Sequence, residues 1–346
     1  TGCGLENMGN SCYMNAALQL ITHSTHIAKC ITQNKGRGPL AKCTADLIKK
    51  QGQQQTVLPS EIKQLVGHNH AMFASFTQQD AHEFIVSFLE DVHKEMASAR
   101  GHYVEVQYGA EPPEQVWPRF QEAIKSFESS PLQDVLMFTL ITTSRCEECG
   151  QQTFSFQIEQ QLVLDLQFLE DKSPEEDQFY QQQYSFFSIK KSVAKKSSLQ
   201  ICVDQFFQLR PSGKFCQKCQ KETNFKVQTK MWSVPQQLLV VLKRFNQQKE
   251  KVEHIIAYPE QLDLSQHMYH RAKEQFQLEA VALHSGNCWG GHYSAFVVQK
   301  QWYYCNDSIV SKCQPNCEDA RAYVFSYALK QKDGQDGEQS QSLYDL

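Results

Sequence analysis

GNSCYMNAALQLI, Gly9 to Ile21, sets a cysteine between small polar residues and a run that turns apolar. Ala17, Leu18 and Ile21 recur at three- and four-residue spacing, which predicts a helix from Ser11 to about Ser24. Cys12 then stands at the helix start, where backbone N–H groups and the positive end of the dipole stabilise thiolate over thiol. A free cysteine is more often a small buried hydrophobe. The rest of the chain has to decide between the two.

The 346 residues suffice for one large or two ordinary domains. The composition, 41% hydrophobic and 21% charged, is that of a soluble globular protein. A net charge of −4 leaves no basic excess to neutralise phosphates or to attract an anionic membrane. No nucleic-acid or membrane partner is therefore expected. No apolar run approaches the roughly 20 residues that a membrane-spanning helix needs. The stretch from Thr1 carries no signal-peptide pattern and leads straight to Cys12, as in a trimmed catalytic core.

A second helix is expected after Thr77, with Ala81, Phe84, Ile85, Phe88, Leu89, Val92 and Met96 on one face. Thr77 and Asp80, three residues apart, read as its capping signal. Beyond Leu132 the period falls to two. QLVLDLQ (Gln161–Gln167), QLLVVLKRF (Gln237–Phe245), FQLEAVALH (Phe276–His284) and RAYVFSYAL (Arg321–Leu329) read as strands. Leu169–Ser198 is polar and aperiodic, as a surface insertion would be, and residues 331–346 have the composition of a disordered tail.

Among 13 cysteines, Cys146 and Cys149 form one Cys-x-x-Cys pair, and Cys216 and Cys219 a second. Four thiolates make a closed tetrahedral zinc site with no position left for a reacting water, so one structural Zn2+ is expected. The long separation places the pairs on two neighbouring hairpins. Cys313 and Cys317 have no partner pair. Without a secretory pattern, such usage favours a reducing cytoplasmic or nuclear setting.

A nucleophilic Cys12 needs an imidazole base and a group to orient it. His292 in GGHYSAF is the candidate base, preceded by two glycines that allow close backbone approach to a substrate. Asn306 in CNDS, just past the next strand, can be brought beside it by a tight turn. The order Cys, His, Asn is that of papain-like proteases.

The chain resembles a ubiquitin-specific protease, the papain-like deubiquitinase family. GLENMGNSCYMNAALQ resembles the family's cysteine box and GGHYSAFVV with WYYCNDSIV its histidine box. QQDAHEF (Gln78–Phe84), the two cysteine pairs, LKRF (Leu242–Phe245) and AYVFSY fall in the family's order, from Gly4 to about Leu329. The resemblance implies Cys12 as nucleophile, His292 as general base, Asn306 as the third triad member, Asp307 as an auxiliary polarising group and Asn7 as an oxyanion donor. It also implies that Gln79, Asp80, Glu83, His284, Gly291 and Tyr293 hold the substrate's tail, Leu-Arg-Leu-Arg-Gly-Gly in ubiquitin. Carboxylates suit its arginines, and a narrow channel suits its glycines. Ser11 for a usual Thr, Cys305 for a common aromatic, His82 for a frequent Gln, and Cys288 and Trp289 in the gating loop depart from the family pattern.

The implied fold is α+β: a helical thumb over about 1–101, zinc-tipped β fingers over about 132–241, and a β-rich palm mainly over 242–330. The implied function is thiol-dependent hydrolysis of the peptide or isopeptide bond after ubiquitin's terminal glycine by a monomeric catalytic domain, with ubiquitin and ubiquitinated proteins as partners. A protease for another ubiquitin-like modifier and a catalytically silent ubiquitin-binding scaffold are the alternatives.

Overall fold

The computed structural model describes residues 3–53, 56–98, 105–106, 111–127, 129–169, 196–245, 248, 250–287, 290–315 and 317–330. Nearly all of the expected insertion, the tail 331–346, and Cys288 and Trp289 lie outside the described residues.

Helices dominate the first half: α1 (Cys12–Thr22), α2 (Thr25–Gln33), α3 (Pro39–Gln51), α4 (Ser60–Asn69), α5 (Ala71–Ala74), α6 (Ala81–Met96), α7 (Pro113–Phe127) and α8 (Pro131–Leu136). A further helix, α9, spans Leu199–Phe206. The seven apolar positions expected on one face of α6 are all buried. Its cap differs from the expected pair. Asp80 alone closes the helix start, its Oδ1 accepting from the His82 and Glu83 amides at 2.7 and 3.0 Å. Thr77 lies outside the cap and instead accepts from Gln79 Nε2 at 2.8 Å. Glu95, near the end of α6, caps α3 by accepting from the Leu40 and Ala41 amides, each at 2.8 Å.

The strands, in chain order, are β1 (Phe138–Cys146), β2 (Gln152–Glu159), β3 (Gln161–Asp165), β4 (Lys196–Ser198), β5 (Arg210–Cys216), β6 (Lys221–Ser233), β7 (Gln237–Lys243), β8 (Ile255–Ala257), β9 (Gln261–Asp263), β10 (Gln275–Asn287), β11 (Gly290–Val298), β12 (Trp302–Asn306), β13 (Ile309–Lys312), β14 (Glu318–Asp319) and β15 (Ala322–Leu329). An eight-stranded sheet runs β13-β12-β11-β10-β15-β7-β3, with β9 beside the start of β10. A four-stranded sheet runs β2-β1-β6-β5, and a small one β14-β8-β4. Of the expected fingers range, residues 138–159 and 210–233 supply the four-stranded sheet, whereas 161–165 and 237–243 join the eight-stranded one.

Two-sided burial explains why β7 is apolar without alternation. Leu239 and Val241 face the helical core, while Leu238, Val240 and Leu242 enter a second core on the other side of the sheet. Toward the helices the sheet presents Ala280, Ala282 and Ala295, small side chains that let α1 approach closely. All eleven residues of α1 are buried, so it is wrapped on every side rather than amphipathic at a surface. At the end of β7, Arg244 is 1% exposed. Its guanidinium donates to the carbonyls of Ala322, Val252 and His254 at 2.6–3.1 Å, fastening the sheet to the loop before β8. That is the structural reason for the LKRF motif.

Candidate active site

The loop before α1 is built around Asn7. Its Oδ1 accepts from the Gly9 and Ser11 amides at 3.0 and 3.1 Å and from Ser11 Oγ at 3.2 Å. Gly9 and Asn10 take left-handed backbone, φ +91° and +52°, which small or Asn side chains tolerate. The chain thus reverses sharply and enters α1 at Cys12, 4% exposed. Burial pushes the Cys12 thiol up, and the Asp307 charge adds to the effect. Hydrogen bonds from the Tyr293, Tyr13 and Cys12 backbone amides oppose it. Desolvation is the largest of these contributions, so the net shift is upward.

His292 and Asn306 come from neighbouring antiparallel strands, β11 and β12, in the register Ala295 to Cys305. His292 Nε2 lies 2.6 Å from Asn306 Oδ1. A carboxamide oxygen only accepts, so Nε2 carries the proton and Nδ1 keeps its lone pair. The strand that carries His292 packs against α1, which begins at Cys12. Asp307 follows in left-handed conformation, φ +49°. Its carboxylate accepts from Asn7 Nδ2 at 2.9 Å and Asn15 Nδ2 at 2.7 Å, joining the β12–β13 turn to both ends of the cysteine loop.

Beside these groups runs a cleft of about 330 Å³. Gln79, Asp80, His284, Gly291 and Tyr293 line it, and so does Gln78, which motif reading passed over. Glu83 is exposed on the first turn of α6 and is not part of that lining; partial burial and the nearby Asp80 raise its carboxyl. Asp80 is already well supplied with donors. Beyond its cap, its Oδ2 accepts from the Tyr293 and Tyr323 hydroxyls at 3.1 and 2.8 Å. His284 is 4% exposed, its ring 4.6 Å from Tyr293 and 5.7 Å from Phe245. Burial, aided by the Lys251 cation, pushes that imidazole down to about 4.

Gly291 has a reason that sequence reading placed elsewhere. A Cβ there would lie 2.4 Å from both His284 Nε2 and Ser285 O. Its own neighbours demand glycine, before any substrate is considered.

Cys146, Cys149, Cys216 and Cys219 converge, with all four sulfurs within 4.8 Å of one another. The Cys146–Cys219 and Cys149–Cys216 separations are 4.0 and 3.6 Å. A disulfide needs about 2.05 Å. Sulfurs about 2.3 Å from a tetrahedral ion stand about 3.8 Å apart, so the set fits a metal ion. Matching turns present the two pairs: Gly150 N donates to Cys146 O and Gln220 N to Cys216 O, at 3.0 and 2.8 Å. Gly150 and Gln220 both have positive φ. Cys146 Sγ lies 3.3 Å from Thr223 Oγ1, a hydrogen bond that lowers its thiol. Cys313 and Cys317, half-buried, lie outside this cluster.

Helices, eight-stranded sheet and cysteine-tipped ribbon together define an α+β fold with a β extension whose four clustered cysteines could hold a metal ion. The chain belongs to the ubiquitin carboxyl-terminal hydrolase family, whose model matches residues 3–327. It is 24% identical to ubiquitin carboxyl-terminal hydrolase Usp2 of Drosophila melanogaster, over 94% of this chain and 34% of that protein. To the 17-like protein B of Mus musculus it is 25% identical, over 94% of this chain and 63% of that one. The chain thus spans less than two thirds of either relative. Among solved structures, the SAGA DUB module of Ubp8, Sgf11, Sus1 and Sgf73 bound to monoubiquitin matches with a TM-score of 0.69. That match covers 95% of this chain and 69% of the other, at 20% identity.

Proposed function

We propose that this chain is a deubiquitinase that hydrolyses the peptide or isopeptide bond after the C-terminal glycine of ubiquitin, with Cys12 as nucleophile. The observation that carries the reading is the His292 Nε2–Asn306 Oδ1 bond, on the strand that packs against the helix begun by Cys12. It leaves His292 Nδ1 as the base.

In the first half-reaction the Cys12 proton passes to His292 Nδ1 and the sulfur attacks the glycine carbonyl carbon. The oxyanion is met by Asn7 Nδ2 and by backbone N–H at the start of α1. Asn306 holds the imidazolium, which then gives its proton to the departing lysine amine. Water, deprotonated by His292, attacks the thioester, and the thiol is restored as ubiquitin leaves. Gln79, Asp80, His284, Gly291 and Tyr293, with Gln78, are read as walls of the channel for the substrate tail, and Glu83 as a partner for a tail arginine.

Cys146, Cys149, Cys216 and Cys219 are assigned to one zinc ion, which would lock the tip of the four-stranded sheet and takes no part in the chemistry. Residues 1–330 are read as one catalytic domain with thumb, palm and fingers, acting as a monomer on ubiquitin conjugates. Four cysteines converging as a thiolate metal site suit a reducing compartment, the cytoplasm or nucleus.

The test is release of a fluorophore from the ubiquitin C-terminus by the wild-type chain and Cys12→Ala, with reporters of other ubiquitin-like modifiers alongside. Turnover on ubiquitin that vanishes in the variant supports the reading. Equal or better turnover of another modifier overturns the substrate assignment, and residual turnover in Cys12→Ala overturns the nucleophile.

A further inference from the structure

Asn15 lies one turn after Cys12 in α1 and is 2% exposed. Its Nδ2 donates to Asp307 Oδ1 at 2.7 Å and to the backbone oxygens of Leu5 and Glu6, each at 3.2 Å. Its Oδ1 is buried with no hydrogen-bond partner. A carboxamide with its acceptor end orphaned is an unfavourable thing to bury, and a leucine would fill similar space without that penalty. The donor end is what this position supplies.

The donors lead to Asn7. With Oδ1 of Asp307 held by Asn15, its Oδ2 accepts from Asn7 Nδ2 at 2.9 Å. The Asp307 backbone oxygen also accepts from the Leu5 amide at 2.9 Å, so the turn and the cysteine loop move as one body. Asn7 Oδ1 is meanwhile saturated by the Gly9 and Ser11 donors. A carboxamide has two N–H bonds. One goes to Asp307, and one is left over, on an exposed side chain whose orientation is set at both ends.

We propose that Asn15 is the positioning residue of the oxyanion site: it anchors Asp307, and Asp307 aims the remaining N–H of Asn7. The proposal rests on the reading of Cys12 as nucleophile and Asn7 as oxyanion donor. An interaction realised only in the transition state affects kcat, whereas one that merely shapes the substrate channel shifts KM.

The experiment is a double-mutant cycle of Asn7→Ala and Asn15→Ala, with kcat and KM on the fluorogenic ubiquitin reporter and a thermal midpoint for each protein. Loss of the oxyanion donor itself should lower kcat roughly 100-fold. Asn15→Ala alone should lower kcat on the order of tenfold with KM within about twofold, and add less than about twofold in the Asn7→Ala background. Penalties that multiply in the double variant overturn the proposal while leaving Asn7 its role. An unchanged kcat in Asn7→Ala overturns the oxyanion reading beneath it. If Asn15→Ala fails to fold, the same cycle is run with Asn15→Leu, which fills similar space without a donor. The same criterion then applies: a kcat loss that disappears in the Asn7→Ala background supports the proposal, and a multiplying loss or no loss overturns it.

Discussion

Gln78 and Gly291, 213 positions apart in sequence, are joined by two hydrogen bonds across the cleft. The Gly291 amide donates to Gln78 Oε1 at 2.9 Å, and Gln78 Nε2 donates to the Gly291 carbonyl at 3.1 Å. The side chain thus pairs with both backbone groups of the residue before His292, as one rung of a sheet would. Replacing Gln78 by Ala removes two bonds with a net worth of about 0.5–1.5 kcal/mol each. The expected result is a fall of roughly tenfold in kcat/KM on the ubiquitin reporter, with little change in thermal midpoint because the pair is exposed. Gln78→Glu should be no better, since a carboxylate cannot donate to the Gly291 carbonyl. Wild-type kcat/KM in both variants would refute this role.

At Gly291 the effect should be larger. The added Cβ of Gly291→Ala would meet the buried His284 ring and the Ser285 carbonyl at 2.4 Å, and neither is a flexible chain end. Overpacking of this kind costs about 1–3 kcal/mol. The displaced backbone also carries His292, so kcat should drop at least 100-fold while the midpoint falls by only a few degrees. Gly290→Ala, with its nearest contact at 3.3 Å on Gln78 Oε1, should retain most of its activity. Equal losses at the two glycines would show that packing on His284 is not the cause.

The four-cysteine cluster gives a metal prediction. Elemental analysis should find about one zinc per chain, and Cys149→Ser should lose it together with several degrees of thermal midpoint. None of the four cysteines lines the cleft. The kcat of the folded fraction should therefore survive better than its affinity for ubiquitin. Metal-free protein with an unchanged midpoint would remove the site from the account.

Two buried imidazoles set a pH dependence. Burial pushes both His23 and His284 down to about 4, against about 6.5 in an unfolded chain. Between those values the unfolded chain binds protons that the folded one refuses, so stability falls as pH drops from 6.5 toward 4 and is level above 6.5. The loss should be on the order of 1–3 kcal/mol per histidine. His23 bonds Gln19 O through Nδ1 and Gln299 through Nε2, contacts that a glutamine can partly replace. Thermal melts of wild type and His23→Gln from pH 7 to 4.5 check this. The variant should have the shallower slope, and parallel slopes would contradict it.

Local patterns carried much of this protein. The apolar period of α6, the place of Cys12 at a helix start, the two Cys-x-x-Cys turns and the strand character of Gln237–Lys243 were all legible. Each depends on residues a few positions apart, where spacing alone decides which side chains share a face. The tertiary structure decided what those elements do to one another. The capping signal at Thr77 resolved to Asp80 alone, because one carboxylate satisfies two amides and still reaches two tyrosines. The helix start did not lower the Cys12 thiol, because the sheet closes over it and desolvation prevails. Nothing in the sequence joins Asn15 to Asp307, 292 positions away. Such contacts arise only when β10–β13 fold back over α1, and they turn adjacent boxes of sequence into one site.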